Sequence, residues 1–438
     1  MKSTFSVVTL GCKTNQFESV SMEEKLAAAG YRPVPFEEGA DLVIVNTCTV
    51  TAATDSQSRN LIRRARRQNL DCRIIVTGCY AQVDPEAIRT IPGVTVVLGN
   101  DDKKDLIRYL GAGSGDPVVA VSDIRGVAGA VPHEINSFSE RSRAFVQIQN
   151  GCNAFCSYCI IPYARGSSRS AQPAQVVEQV RRLVGKGYPE LVLTGIHIGA
   201  YGSDLDPVGS LVELLQRIEK ETEVRRLRLG SIEPNEITDE LIDAIDQSAI
   251  ICPHLHIPLQ SGDDQVLQRM NRHYSANDFY RLIEKIHARL PDIAFGFDVI
   301  TGFPVETEEE FNNTRRLVEA LPVSYLHVFP YSRRPGTPAA DLSGQVPGNI
   351  AKERAATLRI IADEKNSQFA RRFIGQQLDV VVESVSREDN VWKGLTRHYL
   401  PVSFKGTAEL AGSLADIEIT GWQAGQLVGS YVGKSSNF

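Results

Sequence analysis

Short apolar runs and stretches of helical spacing alternate from the start of this 438-residue chain. Residues 5–10, 41–46, 73–77 and 94–98 read as strands, and residues 18–29 and 55–68 as helices between them. Regular alternation of this kind predicts βαβ units and an amino-terminal doubly wound parallel sheet. From residue 143 the alternation resumes with a longer period. Strands are expected at 144–149, 190–194, 226–230, 254–259, 294–300 and 325–329, with helices over 174–186, 210–222, 277–290 and 308–321. Six βα units fall short of the eight that close a TIM barrel, so the expectation is a partial, open (βα)6 TIM-like barrel with its site at the strand carboxyl ends. After a charged helix over 350–374, residues 378–383, 391–396, 401–404 and 415–420 read as strands broken by Gly, Asp and Asn. Helix-free texture of this length predicts a small antiparallel β-barrel. Residues 111–142 are rich in Gly, Ser, Asp and Pro and mark a boundary. The expected organisation is an α/β chain with a domain at 1–112, a connection at 113–142, a barrel domain at 143–374 and a β-barrel domain at 375–438.

Composition narrows the class. Hydrophobic residues at 42% and charged residues at 23% are ordinary globular values, and the apolar runs are too short to span a bilayer, so no membrane partner is expected. The opening residues superficially resemble a signal peptide ending at a lipidated cysteine. The run 5–10, however, contains Ser6 and Thr9, is shorter than a secretory core and is followed by no small-residue cleavage site. A first strand and a cytoplasmic protein are expected instead. The net charge of -6 argues against a protein that coats nucleic acid indiscriminately, leaving local basic patches as the route to any such contact. Eight cysteines are too sparse for a disulfide scaffold, and their clustering favours metal binding.

Cys152, Cys156 and Cys159 stand in a C-x3-C-x2-C spacing. Three thiolates on so short a loop can hold three corners of an iron-sulfur cube and leave one iron open. A zinc knuckle wants four closed ligands, and no His lies within the loop to complete one. The spacing resembles the signature of radical S-adenosylmethionine (SAM) enzymes, in which the open iron chelates the amino and carboxylate groups of the methionine moiety. A second set appears when the amino-terminal strands are aligned by their ends. Cys12 closes Val-Val-Thr-Leu-Gly-Cys, Cys48 closes Val-Ile-Val-Asn-Thr-Cys and Cys79 closes Ile-Ile-Val-Thr-Gly-Cys. Each lies about one βαβ unit from the next, so the three should line the carboxyl edge of one sheet, where such folds place ligands. A single cysteine of this kind is commonly core filling, but three strand-end coincidences favour a second cluster with an open iron. Cys72 precedes its strand and Cys252 has no partner thiol nearby, so both are assigned to the core.

Motif order then adds a family resemblance. Thr-Leu-Gly-Cys-Lys-Thr-Asn-Gln (9–16), Asn-Thr-Cys-Thr-Val (46–50), Thr-Gly-Cys (77–79), the 152–159 loop, Leu-His-Ile-Pro-Leu-Gln-Ser-Gly (255–262), Asp-Val-Ile-Thr-Gly-Phe-Pro (298–304) and Phe-Pro-Tyr-Ser-Arg-Arg-Pro-Gly-Thr (329–337) resemble the radical-SAM methylthiotransferases nearly end to end. Gly-Cys-Lys-Thr-Asn-Gln-Phe-Glu-Ser is most similar to the branch acting on N6-threonylcarbamoyladenosine beside the tRNA anticodon. The branches acting on isopentenyladenosine or on a ribosomal-protein side chain usually differ after the first Cys. The resemblance implies two 4Fe-4S clusters, a carboxyl-terminal TRAM domain and SAM as cofactor. The Cys152, Cys156 and Cys159 cluster would cleave SAM to methionine and a 5'-deoxyadenosyl radical that takes hydrogen from an adenine carbon. The Cys12, Cys48 and Cys79 cluster would carry or supply the sulfur, and a second SAM the methyl group. A tRNA substrate, a reductase or flavodoxin-type electron donor and a sulfur donor are the implied partners. A reading of another class is a zinc-bearing RNA-binding protein without catalysis.

SAM is expected at the barrel's carboxyl edge. Tyr158 can offer backbone contacts to its adenine, and Thr194 and Gly195 match where relatives bind its amino group, although relatives often carry Gly-Gly-Glu there. Ser231, Glu233, Gln260 and Asp298 are further polar candidates at strand ends. RNA contacts are expected from Arg59, Arg63, Arg64, Arg66 and Arg67 on one helix, with Arg59 and Arg63 on one face. Arg165 and Arg169 after the cluster loop, and Trp392, Lys393, Arg397, His398, Tyr399, Phe404 and Lys405 in the terminal barrel, are the other candidates, the last group by stacking and phosphate contact. His197 and His327, near strand ends, are expected to be hydrogen-bonded core histidines.

Overall fold

The computed structural model describes residues 3–111, 115–127, 129, 135–138, 142–386, 390–406 and 410–435, so part of the expected connection lies outside the described residues. The chain forms two compact units. The first comprises Met1–Ser137, Gln147–Gln172 and Ser332–Ala340; the second comprises Phe138–Val146, Pro173–Tyr331 and Asp341–Phe438. The first unit thus takes in the cysteine loop at 152–159 as well as the amino-terminal sheet.

In the first unit, β1 (Thr4–Thr9), β2 (Arg32–Pro33), β3 (Leu42–Thr47), β4 (Arg73–Gly78), β5 (Val94–Leu98) and β6 (Val118–Ala120) make one parallel sheet in the order β2-β1-β3-β4-β5-β6. The interior strand β3 is buried at every position, which is why residues 42–45 form a continuous apolar run rather than an alternation. Helices α1 (Lys13–Ala28), α2 (Ala52–Gln68), α3 (Cys79–Val83) and α4 (Pro85–Arg89) follow β1, β3 and β4. A capping box fixes the start of α2, with Thr51 Oγ1 accepting from the Thr54 amide. Cys12 occupies the cap position of α1 and supplies no side-chain cap. The expectation omits the short edge strands β2 and β6, whose few residues carry no period.

The chain then runs through β7 (Arg143–Gln147) into the antiparallel pair β8 (Gln149–Asn150) and β9 (Arg169–Ser170), between which lies α5 (Ile161–Arg165).

The second unit carries the six expected barrel strands: β7, β10 (Glu190–Thr194), β11 (Arg226–Leu229), β12 (His254–Gln260), β13 (Ala294–Thr301) and β14 (Tyr325–Pro330). They form two three-stranded sheets, β11-β10-β7 and β12-β13-β14, joined by parallel bridges between Leu227 and Ile251 and between Ser231 and His256. An open, partial barrel results, as expected for six units. Gly296 is required on β13, because a Cβ there would fall 1.9 Å from the ring of Tyr325, which lies against it.

The terminal domain is a closed five-stranded barrel, β15 (Gln377–Ser386), β16 (Val391–Thr396), β17 (Pro401–Lys405), β18 (Leu414–Gln423) and β19 (Gln426–Lys434), in the order β15-β16-β17-β19-β18. Two features depart from the expectation. The fifth strand, β19, alternates small and polar residues with apolar ones and was not legible as a strand, and its pairing with β17 is parallel while the other pairs are antiparallel. Phe369 and Phe373 from the preceding helix, Gly348–Arg371 and its end, pack into the core with Trp392, Phe404 and Ile417. A buried carboxylate fastens this domain to the strands beside it. Glu190 takes ion pairs from Arg226 at 2.6 Å and Arg228 at 2.8 Å, and the same guanidinium groups donate outward to the carbonyls of Leu395, Thr396 and Arg397. Burial pushes the Glu190 carboxyl up, but the two arginines outweigh it and bring it down to about 2. Among the described residues no helix is long and apolar enough to cross a membrane.

Candidate functional site

Parallel pairing of β1 with β3 and of β3 with β4 makes the carboxyl ends of these strands neighbours, and each end carries a cysteine. Cys12 opens α1 and is exposed, Cys48 follows β3 and is buried, and Cys79 is the first residue of α3 and is buried. Two of the three follow a glycine in the left-handed region. Gly11 has φ +95°, and a Cβ there would sit 2.8 Å from Cys48 Sγ; Gly78 has φ +97°, and a Cβ there would sit 2.4 Å from the Thr47 carbonyl. Only glycine lets the chain turn this tightly beside the next strand. Convergence shows in the chemistry too. Burial first, then the nearness of Cys79 and Cys12, pushes the Cys48 thiol up to about 11.

Behind the sulfurs lies a buried ionic network. Arg165 has no exposure, donates from Nε to Cys79 Sγ at 3.2 Å, and pairs with both oxygens of Glu18 while also reaching Asn15 Oδ1. Lys103 Nζ binds Glu18 Oε2 at 2.5 Å and Asn100 Oδ1 at 2.8 Å, and Asn100 Nδ2 in turn lies 3.7 Å from Cys79 Sγ. Burial works against the Arg165 charge, but Cys79, Glu18 and Cys12 hold its pKa well above the ordinary value. A second buried pair braces Cys48: Arg334 donates to Thr49 Oγ1 at 2.5 Å and to Asp55 Oδ2 at 2.7 Å.

The loop with Cys152, Cys156 and Cys159 is closed at its base. The Cys152 amide donates to the Gly166 carbonyl at 3.0 Å, and Gly151, at φ +76°, passes so close to Ser167 that a Cβ would meet the Ser167 carbonyl oxygen at 1.9 Å. Within the loop the Ala154 amide donates to Cys152 Sγ at 3.4 Å, and Phe155 holds φ +45° with its ring edge-on to Tyr163. A non-glycine residue held in this region costs of order 1–3 kcal/mol and marks a conformation imposed by its surroundings. Cys156 is buried, while Cys152, Tyr158 and Cys159 are half-buried. Among the described residues each triad offers three sulfurs and no fourth protein thiol, a donor set that fits a cubane with one open iron. Cys72 and Cys252 are buried core residues, as expected.

In the second unit, Thr194 is buried at the end of β10, Gly195 is half-buried after it, and Ser231 is exposed. Gln260 closes β12 in the left-handed region, at φ +63°. Glu233 is held by Arg272, which also donates from Nε to Tyr274 Oη at 3.2 Å. Asp298 is bracketed by His256 Nε2 at 2.9 Å and His327 Nδ1 at 3.2 Å. Burial raises its carboxyl, but the two imidazoles outweigh that and hold it well below the usual carboxylate range. The Tyr325 hydroxyl joins His256 Nδ1 at 2.9 Å to His254 Nε2 at 2.8 Å. His327 corrects an expectation: it is an exposed ion-paired residue rather than a core histidine. His197, by contrast, is largely buried and paired with Glu236 at 2.7 Å.

Several residues expected at RNA are committed elsewhere. Arg165 is the buried partner of Glu18 and Cys79, and Arg169 is buried with its guanidinium on the Arg165 and Ser167 carbonyls. Trp392 and Phe404 lie in the terminal barrel's core. Arg397 donates to the Ala249 and Ile251 carbonyls, and Tyr399 packs against His254, Tyr325 and Arg228. His398 packs against Phe373. Arg59 bonds the Tyr80 hydroxyl, Arg64 pairs with Glu37, and Arg66 packs over Gly93. Arg63 and Arg67, one turn apart on α2, and Lys393 and Lys405 remain exposed.

Comparison with known proteins agrees with this arrangement. Residues 4–99 match the uncharacterized protein family UPF0004, and residues 146–318 match the radical SAM superfamily. The threonylcarbamoyladenosine tRNA methylthiotransferase MtaB of Bacillus subtilis is 42% identical over 423 residues, covering 95% of this chain and 94% of that protein. The tRNA-2-methylthio-N(6)-dimethylallyladenosine synthase of Clostridium tetani is 32% identical, covering 96% and 94%. The radical S-adenosylmethionine methyltransferase TsrM of Kitasatospora setae, solved with cobalamin and a [4Fe-4S] cluster, shares the fold at a TM-score of 0.56 and 18% identity, over 78% of this chain and 77% of that one. A sheet edge with three converging cysteines, a separate three-cysteine loop and near full-length identity of this degree establish that the chain belongs to the radical-SAM methylthiotransferase family.

Proposed function

We propose that this protein inserts a methylthio group at C2 of N6-threonylcarbamoyladenosine next to the anticodon of tRNA. The observation that carries the reading is the pair of separate cysteine triads, one at the ends of β1, β3 and β4 and one on the closed loop. Higher identity to the threonylcarbamoyladenosine enzyme than to the dimethylallyladenosine synthase, 42% against 32%, favours the first nucleoside.

Cys152, Cys156 and Cys159 would hold one 4Fe-4S cluster with SAM, and Cys12, Cys48 and Cys79 a second. When bound, these groups supply a 5'-deoxyadenosyl radical at the first and the sulfur at the second, with the methyl group coming from a further SAM. The chain's own work is positional. The closed loop fixes the first set of sulfurs, while Gly11 and Gly78 bring the second set together. Thr194, Gly195, Ser231 and Gln260 offer polar groups to SAM at strand ends, and Tyr158 offers its backbone. Glu233 acts through Arg272 in this reading, and Asp298 through the two histidines beside it. Arg63, Arg67, Lys393 and Lys405 are exposed cations available to tRNA phosphates. The domain limits 1–112, 143–374 and 375–438 are kept as functional divisions, with a flavodoxin-type or other reductase and a sulfur donor as external partners in the cytoplasm.

Of two tRNAs without the methylthio group, one bearing threonylcarbamoyladenosine and one isopentenyladenosine, incubated anaerobically with reconstituted enzyme, reductant and SAM, the first is expected to yield the 2-methylthio nucleoside on digestion and mass spectrometry. Methylthiolation of isopentenyladenosine instead, or of neither nucleoside while SAM is consumed, refutes the assignment.

A further inference from the structure

The groups buried behind Cys79 share one carboxylate. Glu18 is 1% exposed, Lys103 1% and Arg165 0%; burial lowers the pKa of the Lys103 ammonium, while Arg165 keeps its charge out of reach of solvent. The neighbouring side chains Asn15, Asn46 and Asn100 are neutral, and Asp55 is already matched by Arg334. A buried guanidinium is costly unless anions or acceptors answer its donors. Beside Glu18 and Asn15, the Arg165 guanidinium meets a sulfur: its Nε lies 3.2 Å from Cys79 Sγ.

Arg165 is also carried by the wrong segment for a simple core arginine. It ends α5, one residue before Gly166, whose carbonyl closes the loop of the other triad through the Cys152 amide. Asn100 Nδ2 bonds the Ala164 carbonyl at 2.7 Å and so fixes the same helix against the sheet.

We propose that Arg165 is a positioning residue through which the Cys152–Cys159 loop delivers a fixed positive charge to the Cys79 sulfur, where it stabilises the anionic second cluster. The inference rests on the assignment of Cys12, Cys48 and Cys79 as that cluster's ligands. Three thiolates on a doubly charged cubane leave a net negative charge, and each electron added deepens it. A cation in contact with one thiolate, in a site without water to screen it, therefore raises the reduction potential. A residue that merely filled space would not.

The test is an anaerobic EPR redox titration of full-length protein in which Cys152, Cys156 and Cys159 are all changed to Ala, leaving one cluster to observe. Arg165→Gln in that background is expected to move the reduction equilibrium at least tenfold toward the oxidised form, about 59 mV more negative for one electron. Arg165→Lys, which keeps the charge, is expected to stay within threefold of the parent. An Arg165→Gln protein that assembles its cluster at an unchanged potential overturns the inference. Should that variant fail to assemble, Arg165→Lys decides: a cluster that assembles within threefold of the parent's reduction equilibrium supports the proposal, and one shifted tenfold or more toward the oxidised form despite the retained charge refutes it. Absence of any cluster in the parent would instead refute the ligand assignment itself.

Discussion

Gly78 carries more of the site than its lack of a side chain suggests. It is the buried last residue of β4, at φ +97° immediately before Cys79, with the Thr47 carbonyl where a Cβ would go. Gly78→Ala is therefore expected to cost about 1–3 kcal/mol of stability. It should also displace Cys79, so iron bound by the Cys12, Cys48 and Cys79 set should fall while iron at Cys152, Cys156 and Cys159 stays. Thermal unfolding, and iron analysis of proteins in which either cysteine triad is changed to Ala, read the two effects separately. Residues of this kind were half legible. The strand-end cysteines stand out because each follows a run of β-branched residues, a local signal. Glu18, Lys103 and Arg165 were not legible, because their partners lie 85 and 147 residues apart and a lone Arg in Ala-Arg-Gly-Ser-Ser-Arg reads the same whether it meets solvent or a buried carboxylate.

At the scale of elements, α2 and β16 invert what their composition suggests. The arginine run on α2 is only partly free: Arg59, Arg64 and Arg66 pack on neighbours, and Arg63 and Arg67 face outward. Changing both of these to Glu is expected to weaken tRNA binding across tRNA sequences. The dependence of log K on log salt should flatten by about one unit per arginine. Filter binding at several salt concentrations measures both. Trp392 on β16 should behave otherwise. Its ring belongs to the barrel core, so Trp392→Ala is expected to cost about 3–5 kcal/mol of stability. A folded, stable variant that had lost only RNA affinity would contradict its placement. Aromatic and basic residues interleaved on a strand specify alternating faces, but which face is the core depends on the barrel's closure, which the sequence alone does not carry. On β12 the sequence does carry a local signal: His254 and His256 are two residues apart and so share a face, the one that meets Tyr325.

The whole molecule joins its terminal barrel to the neighbouring strands through a positively charged seam, and this seam gives stability a pH dependence. His398 packs on Phe373 with ring centroids 4.5 Å apart, and burial, together with Arg228, Arg397, Arg226 and Arg372, pushes its pKa down to about 3. The unfolded chain accepts a proton on this ring near its ordinary pKa, about 6.5, whereas the folded protein refuses it. Stability is thus complete above that value and is lost as pH falls toward 3, by at most about 1.4 kcal/mol per pH unit from this group. Urea unfolding between about pH 7 and pH 4 should show that slope, and His398→Gln should reduce it. An unchanged slope in the variant would remove His398 as its source. The six-stranded open barrel and the doubly wound sheet were both readable from alternation, since each unit repeats a local pattern. Assignment of the cysteine loop to the same compact unit as the amino-terminal sheet was not, because it depends on contacts such as Asn100 with Ala164 that span distant segments.

Division of labour between the two triads is the central claim, and Cys12→Ala tests it most directly. Cys12 is the exposed member of its set, so its loss should perturb the fold least. Formation of 5'-deoxyadenosine and of the methylthio nucleoside are measured in one reaction with tRNA, SAM and reductant. Retained 5'-deoxyadenosine with no methylthio product is the predicted result; loss of both in a folded protein that still holds iron at Cys152, Cys156 and Cys159 would contradict separate roles.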